Sequence, residues 1–321
     1  MASDLYPGSY GALPVGITEF NGALYFRATG NSAGPELWKY ENGASSMVAD
    51  LNPGIGGSMP NQFTVIGSTM YFTATTAATG MELYKFDGVS ISLAADIYPG
   101  ANGSSLNFLT AIGSELYFSA NDGVSGNEPW KYDGVTATQV ADVNPGIGDS
   151  NPDEFAGAGG YIYFTGLNPL YGFELWKYDG VTAVVEDLYP GTTGSDLGEL
   201  TPIGSKICFR ATNGTQGYEL WVHDGVSPVC LDVCTVGAGD FTPWEFTTFG
   251  TEVFFRGFIS GSGYELWKYD GTNAVLVADI FSGAGNGHPN HMVAGNLFYI
   301  LRQTMVPLEM NFGCMMVQIP P

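Results

Sequence analysis

The chain has 321 residues, with 10 Lys+Arg against 32 Asp+Glu and a formal net charge of −22. That balance argues against nucleic acid, or an anionic membrane surface, as a partner held by bulk electrostatics, and no apolar run is long enough to insert across a bilayer. Only 13% of residues are charged while 45% are hydrophobic and 14% aromatic, so a large buried core is expected rather than a disordered acidic tail.

The opening residues, MASDLYPG, contain neither a basic n-region nor an apolar h-region, so no signal peptide is expected in them. They do contain the first copy of a motif, Asp-aliphatic-x-Pro-Gly. It starts at Asp4, Asp50, Asp96, Asp142 and Asp187, with degenerate copies at Asp232 and Asp279. A second motif, aliphatic-aromatic-aromatic, begins at Leu24, Met70, Leu116, Ile162, Ile207, Val253 and Leu297, with Cys208 replacing one aromatic. A third, around Glu-Leu-Trp, places a glutamate at Glu36, Glu82, Glu128, Glu174, Glu219 and Glu265, in steps of 46, 46, 46, 45 and 46. A period in the forties sets the architecture before any local motif is read.

Each repeat holds four strand-like runs. In the second they are QFTVIG, TMYFTATT, MELYKFDG and ISLAADI. Aromatic and β-branched residues fill them, and Gly, Asn, Asp and Ser separate them. The Asp-Gly pairs read as hairpin turns and the Pro-Gly pairs as type II turns, because Gly accepts positive φ. No segment has helical periodicity. The expectation is an all-β, seven-bladed β-propeller with four antiparallel strands, a to d, in each blade. It forms a single domain over 1–321, with repeats near 4–49, 50–95, 96–141, 142–186, 187–231, 232–278 and 279–321. The ring is expected to close without strand exchange, with Glu309 opening the last strand c and CMMVQI, near the C-terminus, forming the last strand d.

GFELWKYDG, GYELWKYDG and VADLNPG resemble the ELWxxDGT repeat family of bacterial secreted and surface proteins. The resemblance covers almost the whole chain and implies a propeller-type repeat in a secreted or cell-surface setting. It implies no catalytic residues. Local departures are Pro129 within NEPW, Tyr84 in place of Trp, Val222 in place of Lys, and a last repeat, PLEMNFGC, without Trp, Lys or Asp.

Alternating strand direction gathers the b–c loops and the d-to-a connections on one end of each blade, where function is expected. The motif Glu starts strand c there and the motif Asp ends strand d there. Two readings stand for Glu36, Asp50, Glu82, Asp96, Glu128, Asp142, Glu174 and Asp187. Either the carboxylates accept N–H bonds from the Pro-Gly turn and pair with the motif lysine or a loop residue, or they hold Ca²⁺ with loop carbonyls. No DxDxDG loop occurs, and no cofactor is required. Lys39, Lys85, Lys131, Lys177 and Lys268 lie inside strand c and need carboxylate partners in the same or an adjacent blade.

All four arginines fall in consecutive repeats of the closed ring. Arg27, Arg210 and Arg256 follow the aromatic pair of strand b, and Arg302 lies two places further on in the seventh repeat, with His288 and His291 nearby. Thr73, Ser119 and Thr165 stand at that position in the other repeats. A cationic sector in an acidic protein suits an anionic ligand group. The competing expectation is internal pairing, Arg27–Glu36, Arg210–Glu219 and Arg256–Glu265, which would satisfy buried guanidinium donors. Cys208, Cys230, Cys234 and Cys314 have no metal-ligand spacing and are expected as buried thiols or with one pair bridged, Cys208 and Cys230 being too far apart for that bridge.

Without a metal cluster or a Ser/His/Asp arrangement, the expected function is a non-enzymatic extracellular binding or scaffold module. Its loop face would engage a surface glycan or a protein. The alternatives are a propeller enzyme acting on an acidic polysaccharide and an architectural subunit of a filament or surface layer.

Overall fold

The computed structural model describes residues 11–30, 33–231, 233, 240–283, 285–287, 289–294, 298–303 and 313–318, with side chains through residue 289 and at Met292. The chain divides into two units, 1–153 and 154–321. In the first unit, β1 (Val15–Phe20), β2 (Ala23–Thr29), β3 (Pro35–Glu41) and β4 (Ala44–Ala49) make the first sheet. The second sheet is β5 (Asn61–Ile66), β6 (Thr69–Thr76), β7 (Gly80–Phe86) and β8 (Ile91–Ala95). The third is β9 (Asn107–Ile112), β10 (Glu115–Asn121), β11 (Asn127–Tyr132) and β12 (Ala137–Gln139).

The fourth sheet begins at the unit boundary with β13 (Asp153–Ala158), followed by β14 (Tyr161–Asn168), β15 (Gly172–Tyr178) and β16 (Ala183–Glu186). The fifth is β17 (Gly198–Ile203), β18 (Lys206–Thr212), β19 (Tyr218–His223) and β20 (Pro228–Leu231). The sixth is β21 (Trp244–Phe249), β22 (Glu252–Ile259), β23 (Gly263–Tyr269) and β24 (Ala274–Ala278). A last sheet has three strands among the described residues, β25 (Pro289–Ala294), β26 (Phe298–Gln303) and β27 (Gly313–Gln318). Each four-stranded sheet is an antiparallel meander, and no helix occurs among the described residues.

The last sheet corrects one expectation. Gly313–Gln318 pairs directly with β26, so CMMVQ lies where strand c was expected, not strand d. The divergent PLEMNFGC lacks the Trp and Lys that fix strand c elsewhere, and the apolar Met-Met-Val run pairs with FYILRQ instead. Asp4, Glu309 and the residues after Gln318 lie outside the described residues, so the expected ring closure does too.

The aliphatic-aromatic-aromatic and Glu-Leu-Trp motifs turn out to be two halves of one cross-strand pair. Phe26 faces Trp38, Phe118 faces Trp130, Phe164 faces Trp176 and Phe255 faces Trp267. Phe72 and Tyr84 keep the arrangement where Trp is lost. Directly opposed aromatics on adjacent strands are among the stronger stabilising pairs in a sheet. Between sheets the same rings interdigitate. Phe20 and Tyr25 of the first sheet pack edge-on or tilted against Phe86 of the second, at 5.5–5.9 Å.

Glycine takes positive φ in both kinds of turn, for example +114° at Gly191 after Pro190. Gly88, Gly134, Gly180 and Gly225 take φ of +94°, +98°, +98° and +96° in the c–d hairpins. The Asp before each glycine accepts the N–H groups two and three residues on, for example Val181 and Thr182 onto Asp179 at 2.9 and 2.7 Å. The glycine two places before the motif Glu serves a different end. A Cβ at Gly80 would lie 2.4 Å from the backbone N of Gly103, so the chain entering strand c touches the incoming connection backbone to backbone.

Candidate functional site

The motif glutamates form the most regular polar feature. Glu36, Glu82, Glu128, Glu174, Glu219 and Glu265 are all buried, at 0–1% exposure. Each starts strand c and accepts N–H groups from the connection that follows strand d. Glu174 takes Leu188 N–H and Tyr189 N–H, both at 3.2 Å, and the Ser195 hydroxyl at 2.7 Å. Glu128 takes Val143 N–H at 2.7 Å, Asn144 N–H at 3.3 Å, and both the N–H and the hydroxyl of Ser150 at 3.2 and 2.8 Å. Glu36 is held by Leu51 N–H, Ser58 N–H and the Ser58 hydroxyl. Glu265 is held by Ile280 N–H and Gly287 N–H.

Each carboxylate therefore clasps the loop that leads to the next sheet. Burial pushes Glu128 and Glu174 up to about 7, against the opposing pull of these donors. Glu82 and Glu265 are raised for the same reason. Asp50, Asp96, Asp142 and Asp187 stand beside the clasps but are exposed. The donors around each Glu are N–H and O–H groups, which is the surrounding of a structural carboxylate. Among the described residues, no group of three or more His, Cys, Asp or Glu is placed to hold a metal.

The motif lysines do not reach these glutamates. Lys39 pairs with Glu41 at 3.0 Å, Lys131 with Glu115 at 3.3 Å, Lys177 with Glu186 at 2.8 Å and Lys268 with Glu252 at 2.6 Å. These four partners lie in the same sheet, as expected, whereas Lys85, the fifth motif lysine, makes no ion pair among the described residues.

The arginines do not pair with them either. In register, Arg27 opposes Leu37 while Ala28 opposes Glu36. Arg210 opposes Leu220, and Arg256 opposes Leu266. Neighbouring strand residues point to opposite faces, so each Arg and its motif Glu lie on opposite sides of the sheet. The expected Arg–Glu pairs fail by one residue of register.

Arg210 and Arg256 meet aromatic rings instead. The Arg210 guanidinium lies 3.7 Å from the centroid of Trp244, on the first strand of the sixth sheet, and 5.2 Å from Tyr218 on its own strand c. The shorter of these, over the larger indole ring, is the stronger cation–π contact. Arg210 is 9% exposed. Its Nη2 reaches the Asp196 carbonyl at 3.5 Å, and its Nε has no acceptor among the described residues. The Tyr218 hydroxyl donates to Asp196 at 2.5 Å, a bond that, with burial, raises the Tyr218 pKa. Arg256 lies 5.4 Å from Tyr264. Arg27 has Pro35 where these have tyrosine, and is half-buried. The backbone of Arg302 sits in β26 opposite Cys314, and that of His291 in β25; their side chains, and all of His288, lie outside the described residues. The structure thus joins Arg210 to Trp244, Tyr218 and Asp196, residues the arginine pattern alone did not bring in. A signal was present: Gly-Tyr-Glu-Leu occurs twice, in the two repeats whose arginines stack on tyrosine.

Two further features escaped the sequence reading. The first strands of the second, third, fifth and sixth sheets carry a bulge with a residue at positive φ, Gln62 (+55°), Phe108 (+57°), Glu199 (+67°) and Glu245 (+60°), and Glu154 of β13 has φ of +49°. Several of these side chains bond the next sheet. Gln62 takes Leu109 N–H at 2.8 Å and donates to Leu106 O at 3.2 Å, and Glu199 takes Phe246 N–H at 2.9 Å. The other feature is His223, fully buried where other repeats have Tyr or Phe. Its Nδ1 accepts Gly225 N–H at 2.9 Å and its Nε2 lies 3.2 Å from Glu186. Burial works to raise Glu186, but its bonds to His223 and Lys177 hold it below the ordinary range.

Cys208 is a thiol pushed up to about 12 by burial, and β19 separates it from Cys230, so the two do not bridge. Cys234 lies outside the described residues, as does the side chain of Cys314.

No family model matches the chain, and no curated protein matches it. Solved structures do. The chain is similar to a prolyl endopeptidase studied for inter-domain dynamics in catalysis and specificity: TM-score 0.55, 12% identity, 90% of this chain and 46% of that one. It is similar to a puromycin-hydrolysing peptidase of Mycobacterium tuberculosis: TM-score 0.53, 10% identity, 91% of this chain and 50% of that one. It is also similar to the β-propeller domain of the Trilobed protease of Pyrococcus furiosus, which has an open velcro topology: TM-score 0.50, 11% identity, 90% of this chain and 91% of that one. The chain spans about half the length of the two peptidases. At these identities the likeness is one of fold, a β-propeller repeat architecture.

Proposed function

We propose that the chain forms a closed seven-bladed propeller that acts outside the cell as a non-enzymatic binding module. It takes the acidic group of a surface glycan at Arg210. The extracellular setting rests on the resemblance to ELWxxDGT repeats. The observation that carries the reading is Arg210 itself. It is nine-tenths buried, lies over the rings of Trp244 and Tyr218, and has an Nε–H sealed from solvent that no described acceptor meets. A guanidinium this poor in acceptors, with one long bond to the Asp196 carbonyl, is costly unless a ligand meets its terminal N–H groups. A carboxylate is the natural complement, and Trp244 and Tyr218 offer ring faces for the sugar that bears it.

Calorimetric titration with tetragalacturonate and with its methyl ester tests this. Binding of the acid, weakened tenfold or more by esterification and by Arg210→Met, supports the reading. Equal binding of acid and ester, or an Arg210→Met variant that binds as well as the parent, overturns it. Release of new reducing ends from the acid would turn the reading towards an enzyme.

A further inference from the structure

We infer a second ligand site, for a single uncharged sugar ring, in the cleft of about 230 Å³ on the loop side of the third sheet. It is lined by Tyr98, Asn121, Gly123, Val124, Gly126 and Ile147. It shares no residue with the Arg210 site and does not depend on that reading.

The connection entering the third sheet carries Tyr98 where those entering the second and fourth carry Asn52 and Asn144. Those asparagines close their own turns, donating to Gly57 O at 2.9 Å and Asp149 O at 3.0 Å. Tyr98 instead lays its ring on Gly123 of the b–c loop, where a Cβ would come within 2.6 Å of the ring. The fifth sheet repeats this packing with Tyr189 and Gly214, so the ring-on-glycine contact is part of the scaffold. What differs in the third sheet is the rim. Asn121 and Val124 stand where the fifth sheet has Thr212 and Thr215.

The rim's chemistry selects the ligand. Asn121 uses its Oδ1 to cap Gly123 N–H at 2.6 Å, which turns its amide N–H₂ free among the described residues. Tyr98 Oη accepts from Asn102 at 3.3 Å and keeps its own proton to donate. Val124 and Ile147 are 72% and 89% exposed and supply apolar walls. No charged side chain lines the cleft, although the chain carries a net charge of −22. Free donors beside an aromatic ring and apolar walls suit a pyranose, with its acceptor hydroxyls and its C–H face. The volume lies below the ~300–1,000 Å³ of sites for larger ligands, which limits the occupant to one ring.

Saturation-transfer NMR with the methyl glycosides of glucose, galactose, mannose and N-acetylglucosamine tests the inference. At least one should receive saturation with a Kd near ~1 mM, ordinary for one ring in a shallow cleft. Asn121→Ala should weaken it fivefold or more. Ile147→Asp, at an exposed position where folding is unaffected, should do the same, with unchanged melting confirming the fold. Arg210→Met should leave it intact. No transfer to any of the four at ~10 mM, or transfer that survives both cleft variants, overturns the site.

Discussion

The fourth and fifth sheets are built from the same repeat, yet one is ordinary and the other is not. In the fourth, Glu174 is clasped by two N–H groups and the Ser195 hydroxyl, strand b carries Thr165, and Tyr178 ends strand c. In the fifth, Phe241 stands where the serine would be, strand b carries Arg210, and His223 ends strand c. What the two share makes the fold: opposed Phe and Trp, a buried Glu and an Asp-Gly hairpin. What the fifth changes is its polar groups: a guanidinium over the Trp244 ring and a buried imidazole. In a repeat protein, departures that share one sheet are the place to look for function.

The comparison is broken most severely at the clasp. Glu174→Ala leaves two N–H groups and a hydroxyl unpaired at about 1–3 kcal/mol each, so a loss of about 3–9 kcal/mol in urea unfolding is expected. Glu219→Ala should lose less, because Phe241 presents no hydroxyl to orphan. Equal losses would mean that the serine contributes nothing.

Acid sharpens it next. Burial raises Glu128 and Glu174 from an ordinary 4.5 to about 7, so between those values the native state holds their protons more tightly than the unfolded chain does. Their linkage contribution is fully present below 4.5 and is lost as pH rises through about 7. The turn aspartates Asp87, Asp133, Asp179 and Asp270 run the other way. N–H groups three and two residues on pull them below 3.8, so their contribution is present above 3.8 and lost as pH falls through the lowered value. The urea midpoint should therefore rise from pH 7.5 towards 5 and fall again below 4. A midpoint that drops steadily from 7.5 to 5 contradicts this, and Glu128→Gln should flatten the rise.

Ser195→Ala is the smallest break. It removes one hydroxyl bond while leaving Leu188 and Tyr189 on Glu174, and about 1 kcal/mol is expected to go, measured by urea unfolding.

Strands and hairpins were legible because the repeat writes them with a period of 45–46, whereas the pairing of the two aromatic motifs needed the register. The buried Glu accepting turn N–H groups was legible too, since its spacing to the Pro-Gly turn recurs. The Ser clasp, 21 or 22 residues beyond each of the first four glutamates, was equally periodic, but a lone serine in a loop carries no propensity signal. The bulge residues Gln62, Glu154 and Glu199 were hidden because positive φ is not written in residue type unless glycine stands there. The Arg–Glu pairing was misjudged because a shift of one in a hairpin turns a side chain to the other face. PLEMNFGC was misread as strand c because the pattern had decayed, and a decayed repeat no longer constrains register.

One measurement goes to the centre of the account. Arg210→Thr with Tyr218→Phe rewrites the fifth sheet's site as the fourth's, Thr165 and Phe173, and leaves every clasp in place. The account predicts a midpoint within ~1 kcal/mol of the parent, with acidic-glycan binding reduced tenfold or more in the same titration. Retained binding, or a chain that unfolds while the fourth sheet's own Thr and Phe are tolerated, would contradict it.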